Sequence, residues 1–187
     1  MRNVLTILAA GALLALHGTA GAAESEFQIT PRAGLGDLRI DQFEGIDDNL
    51  AETDTYGLGV GFGVKTPVGV VFEAGVDHFG NFDFFNAFDG FSLSQKFVSI
   101  GYQFELGEGW RLVPRVGRAH WKVRNEEGRL FNPGPEETRS ISGDDYFWEA
   151  SVSRRISRVV TLGVNYKQGN FDFGRSRTTS FIVTLGF

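Results

Sequence analysis

Over the stretch Thr55 to Val64 the chain places Tyr56, Leu58, Val60, Phe62 and Val64 on one side of an extended backbone and Gly57, Gly59, Gly61 and Gly63 on the other. Side chains alternate across a strand with a period of two, whereas a helix would mix the two sets. The last segment repeats the order, with Thr179, Phe181, Val183, Leu185 and Phe187 opposed to Ser180, Ile182, Thr184 and Gly186. Six more stretches alternate in the same way: Phe27 to Leu35, Val68 to His78, Gln95 to Glu105, Trp110 to Trp121, Tyr146 to Ile156 and Val159 to Gln168. The reading is therefore eight strands, most of them nine to twelve residues long. That length suits a tilted strand crossing a bilayer better than it suits a soluble sheet.

The connections carry separate information. Short ones fall at Lys65-Thr66-Pro67, at Leu106-Gly107-Glu108-Gly109 and around Ser157, and long ones at Gly36 to Asp54, Phe79 to Ser94, Arg124 to Asp145 and Gly169 to Arg177. Strict alternation of short and long is what an antiparallel up-and-down transmembrane barrel predicts, with tight periplasmic turns, long external loops and both termini on the periplasmic side.

Alternation alone does not say whether the apolar face points inward, as in a lipocalin, or outward to lipid. The opposite face decides. Its glycines, together with Ser151, Ser153, Thr161 and Gly163, make a poor water-facing surface but suit the crowded interior of an eight-stranded barrel. The apolar face then meets lipid. Aromatic residues gather at the strand ends, with Phe27, Phe104, Trp110 and Phe187 on the periplasmic side and Tyr56, Tyr146, Trp148 and Tyr166 on the outer side, where two interfacial belts belong.

Met1-Arg2-Asn3 followed by the apolar run Val4 to Leu16 is too short for a membrane helix and has the form of a signal peptide. Small residues through Ala22 and Ala23 place cleavage after one or the other, leaving residues 24–187 as a single barrel domain and residues 1–23 as the signal. Without Arg2 the balance is 17 basic against 23 acidic residues, which argues against a nucleic-acid partner. The chain has no cysteine, so the fold closes without disulfides even in an exported setting.

The ending Phe181-Ile182-Val183-Thr184-Leu185-Gly186-Phe187, apolar at every second position and closing on phenylalanine, resembles the C-terminal strand signature of bacterial outer-membrane proteins. With the signal and the Gly-rich hairpins, the mature chain resembles the small OmpA/OmpX-type and "porin family" barrels. The resemblance implies an outer-membrane location, surrounding lipid and lipopolysaccharide, and reading of Phe181, Val183, Leu185 and Phe187 by the barrel-assembly machinery. The resemblance is to the barrel domain alone and not to a C-terminal peptidoglycan-binding domain of two-domain OmpA-type proteins, so a cell-wall tether is not expected from it.

Following the alternation, Arg32, Glu73, Arg115 and Glu149 point into the lumen at similar height. Buried charges left single are costly, so these four are expected to form one hydrogen-bonded network, either a plug that closes the lumen or a gate that passes ions when the pairs rearrange. A lipid A deacylase would place a His and a Ser two residues apart on one strand, with a carboxylate beside them. His78 is flanked at that spacing by Val76 and Gly80, and His120 by Arg118 and Lys122. No catalytic residue, cofactor or metal site is therefore assigned, and no oligomer is required. The loop from Gly36 to Asp54 carries Asp37, Asp41, Glu44, Asp47, Asp48, Glu52 and Asp54 against Arg39. It either holds divalent cations among lipopolysaccharide phosphates or is a solvated acidic loop. A loop with Phe79, Phe82, Phe84, Phe85, Phe88 and Phe91 is too aromatic for bare solvent. The functional expectation is a non-enzymatic barrel with a structural or adhesive role. A narrow pore is the runner-up, with a lipid A-modifying enzyme or a soluble lipocalin-like binder more distant.

Overall fold

The structure, a computed structural model, describes residues 25–40, 52–80, 90–126, 138–172 and 174–187. The strands are β1 (Glu26–Ile40), β2 (Glu52–Lys65), β3 (Val70–Gly80), β4 (Gly90–Tyr102), β5 (Phe104–Gly107), β6 (Trp110–Glu126), β7 (Thr138–Arg155), β8 (Val160–Phe171) and β9 (Gly174–Gly186). β4 and β5 are two pieces of one stave interrupted at Gln103, and both pair with β6, so the sheet is a closed eight-stranded antiparallel barrel. β1 and β9 complete the closure, and Phe27 and Phe187 exchange two backbone hydrogen bonds of 3.0 and 2.9 Å at its foot.

The register sets the tilt. Stepping from Val64 through Phe72, Ile100, Val116, Trp148, Gln168, Arg177 and Asp37 leads back to Asp54, ten residues along β2 from the start. Such a stagger tilts the strands by about 35–45° from the barrel axis.

All three short connections are tight turns with local chemistry. Gly69 takes φ +90° after Pro67-Val68, and the Thr66 hydroxyl accepts the Val70 N–H at 3.0 Å. Gly107-Glu108-Gly109 passes through φ of 90°, 51° and 79°, which glycine tolerates at two of the three positions. At the third turn the Ser157 hydroxyl accepts the amides of Val159 and Val160 at 3.3 and 3.1 Å.

Two expectations need correction. The strands outrun the sequence reading, reaching 17 residues in β6 and 18 in β7. The stretch from Gly169 to Arg177 is not a long loop: β8 runs to Phe171, β9 starts at Gly174, and these two residues pair. Both differences have one cause. Toward the end of the barrel away from the tight turns the outward side chains turn polar, as with Lys122 and Arg124 on β6 or Arg175 and Arg177 on β9, so the outward hydrophobic signal stops although backbone pairing continues. The inward side chains change in the opposite sense, to Leu38, Phe79, Leu93, Trp121, Val123 and Phe171, all buried. The barrel is apolar outside and polar inside in its lower part, and polar outside with an apolar core in its upper part.

The lower outer face carries Phe62, Phe72, Val76, Ile100, Val152, Val164 and Phe181, each 39–53% exposed on a stave that continues the belt. Trp148 and Tyr166 lie with ring centroids 5.3 Å apart on the outer side, and Tyr102 and Phe104 with centroids 4.8 Å apart on the turn side. No helix among the described residues is long and apolar enough to cross a membrane, which has no bearing on a barrel. The expected signal peptide and most of the acidic and phenylalanine-rich loops lie outside the described residues.

Candidate functional site

The lumen is stacked in layers. Arg32 of β1, Glu73 of β3, Arg115 of β6 and Glu149 of β7 project inward by strand parity and are brought together. Arg32 Nη2 pairs with Glu73 Oε1, and Arg32 Nη1 lies 3.5 Å from Glu149 Oε2. Arg115 Nη1 donates to Glu149 Oε1 at 3.2 Å, and its Nη2 lies 3.6 Å from Glu73 Oε2. Each arginine thus touches both glutamates. The arrangement is a closed ring of charges, with Glu73 and Glu149 no more than 3% exposed.

Sequence reasoning missed two members. Asp77 Oδ1 lies 3.8 Å from Arg32 Nε, and Lys167 Nζ donates to Asp77 Oδ2 at 2.9 Å and to Gln95 Oε1 at 2.8 Å. Asn165 Nδ2 donates to Glu149 Oε2 at 3.2 Å. The signal was available: Asp77 shares its parity with Glu73, and Lys167 with Thr161 and Gly163. Three cations now face three carboxylates, so the buried layer is neutral. Arg115 Nε, Ser99 Oγ and Asn165 Oδ1 lack a protein hydrogen-bond partner, which is the kind of polar lining that bound water satisfies.

Glycines give this layer its space. A Cβ on Gly61 would come within 2.7 Å of the Glu73 carboxyl carbon and 2.9 Å of Arg32 Nη2. The lumenal rings use the same device, since Gly75 faces Phe97, Gly117 faces Phe147 and Gly143 faces Trp121 across neighbouring strands. Phe97 and Phe147 meet edge to face with centroids 5.8 Å apart, and Lys167 Nζ sits 4.5 and 4.2 Å from their ring centres. These two rings and Ala119 form an apolar lid on the ion network. Above them stands the second core of Leu38, Phe79, Leu93, Trp121, Val123 and Phe171. Trp121 is fixed there by its Nε1–H, which donates to Asp145 Oδ2 at 2.8 Å.

The outer rim holds a second group. His78 Nδ1 and Ser94 Oγ are 2.9 Å apart on the outward face of the β3–β4 ladder. A search for His and Ser two residues apart on one strand could not find this pair, because the neighbouring strand supplies the serine. Among the described residues no carboxylate is seen to contact His78. His120 Nδ1 lies 3.5 Å from Asp144 Oδ1, which is also 4.0 Å from Arg118 Nε. No group of three or more His, Cys, Asp or Glu suited to a metal ion occurs among the described residues.

A closed eight-stranded antiparallel barrel with an apolar outer belt and a polar interior has the fold of the small bacterial outer-membrane β-barrels. The chain's fold is similar to that of Neisserial surface protein A, at TM-score 0.68 and 13% identity over 88% of this chain and 100% of that one. It is also similar to Ail, the attachment invasion locus protein of Yersinia pestis, at TM-score 0.61 and 14% identity over 88% of this chain and 100% of that one. A de novo designed transmembrane β-barrel matches at TM-score 0.50 and 12% identity, over 87% of this chain and 95% of the design. No protein-family model and no curated protein matches the sequence.

Proposed function

We propose that this outer-membrane barrel is a closed, non-enzymatic surface protein with a structural or adhesive role, its lumen plugged by side chains. One observation carries the reading: the lumen holds three successive layers, the neutral ion network, the Phe97–Phe147 lid and the Trp121 core, each contributed by several staves. An open path for solutes would have to break all three. An adhesive role is supported by the strands that continue above the lipid level as a polar-faced, apolar-cored platform. A shared fold with the attachment invasion locus protein agrees with it.

On this reading the partners are outer-membrane lipid, lipopolysaccharide and, during insertion, the barrel-assembly machinery acting on the Phe181–Phe187 strand. Liposome swelling tests the plug. Vesicles carrying the refolded barrel should swell in small sugars no faster than empty vesicles, and rapid swelling would replace the plug by the narrow pore.

A further inference from the structure

We propose that the outward face of β3, β4 and β6 is a seat for one phosphorylated lipid of the outer leaflet, with Lys96 and Lys122 clasping the headgroup phosphate. The inference rests on the barrel lying in a membrane with its tight turns on the inner side.

Register gives the geometry. Lys96 faces His120 and Ser94 faces Lys122 across the β4–β6 ladder, so the two lysines occupy diagonal positions on one face. Diagonal neighbours stand roughly 7–8 Å apart, close enough for two flexible ammonium groups to meet on one phosphate. Val98, Arg118 and Tyr146 share a register line. That line climbs by about two and a half residues over the two steps from β4 to β7. Lys96, two residues above Val98, is therefore level with Tyr146 and its neighbours in the outer aromatic belt, at headgroup depth.

Charge selects the occupant. Asp144 is shared by Arg118 and His120, whereas Lys96 and Lys122 have no carboxylate partner among the described residues. A chain of net charge −5 thus leaves two uncompensated cations side by side where phosphates lie. Next to Lys96 a groove of about 380 Å³ runs along the barrel wall, lined by Leu58, Val60 and Val76 with His78 and Ser94 at its upper end. Leu58 is 70% exposed. An acyl chain covers such a wall while the phosphate reaches the lysines, and a free phosphate ion has no use for it.

The test uses the full mature chain refolded in phosphatidylcholine vesicles doped with bis-phosphorylated lipid A, or with the same lipid dephosphorylated, and read by native mass spectrometry after mild detergent extraction. Wild type should retain one phosphorylated lipid. A cation near the surface is worth about fivefold in binding, so Lys96→Gln/Lys122→Gln should retain it roughly 25-fold less well. Lys96→Arg/Lys122→Arg should keep it. Both variants should show the wild-type heat-induced gel shift, because the side chains face outward. Equal retention by wild type and the glutamine variant, or equal retention of both lipids, overturns the seat. Neither result touches the plug, which conductance tests separately.

Discussion

Lys167 Nζ lies 2.9 Å from Asp77 Oδ2 across the lumen, although 90 residues separate the two in the chain. With Arg32, Glu73, Arg115 and Glu149 they make the barrel a set of staves cross-tied by charge. Breaking one member of a dry buried pair costs about 3–5 kcal/mol, while replacing both by apolar residues of similar size costs less. Lys167→Met and Asp77→Leu should each destabilise strongly, and the double variant by less than their sum. Water in the lumen shrinks both effects without abolishing the coupling. Equilibrium unfolding in detergent supplies the cycle. The same cycles on Glu73 with Arg115, 3.6 Å apart, and on Glu149 with Arg32, 3.5 Å apart, should also be non-additive. Additive losses in all three would mean separate side chains rather than a network.

The glycine floor gives a steric prediction. Gly61→Val pushes a branched side chain into the space of Arg32 and Glu73, and overpacking of this sort costs roughly 1–3 kcal/mol. Gly117→Val should act similarly against Phe147. The control is Val60→Ala on the lipid face, one residue from Gly61, which should alter stability far less. A Gly61→Val barrel as stable as wild type would show that Arg32 and Glu73 are not held where the contacts place them.

Much of this was legible in the residues and some was not. The lower barrel announces itself because lipid demands apolar side chains at every second position, and the four network charges follow from parity alone. Asp77 and Lys167 obey the same rule, Asp77 with the parity of Glu73 and Lys167 with that of Thr161 and Gly163. The upper staves were hidden for a physical reason: at the lipid boundary the outward face becomes polar and the inward face apolar, so Leu38, Trp121 and Phe171 keep the period of two with the sense of the two faces exchanged. Between Gly169 and Arg177 polar residues sit on both faces, and only the pairing partners reveal a strand. The His78–Ser94 contact joins residues 16 positions apart and depends on register, which local spacing does not encode.

That contact sharpens the proposal that the chain is not an enzyme. Refolded protein incubated with lipid A should release no fatty acid, and Ser94→Ala should behave like wild type by mass spectrometry of the lipid. Release that disappears in Ser94→Ala would make the pair catalytic and overturn the proposal.

The C-terminal phenylalanine separates recognition from stability. Phe187 is 69% exposed and tied to Phe27 through two backbone hydrogen bonds that a serine would keep, so replacing its ring removes little buried surface within the barrel. Phe187→Ser should refold in detergent with little loss and yet assemble poorly in cells, measured as the heat-shifted fraction in outer-membrane preparations. Equal loss in both settings would reduce Phe187 to an interfacial anchor.

The proposed plug is tested most directly by planar-bilayer recording of the refolded mature chain. The stacked ion network, aromatic lid and apolar core predict an electrically silent barrel, with no steady single-channel steps at any applied voltage the membrane withstands. Reproducible, ohmic conductance from protein whose gel shift shows it fully folded would contradict the plug and make the charge network a gate.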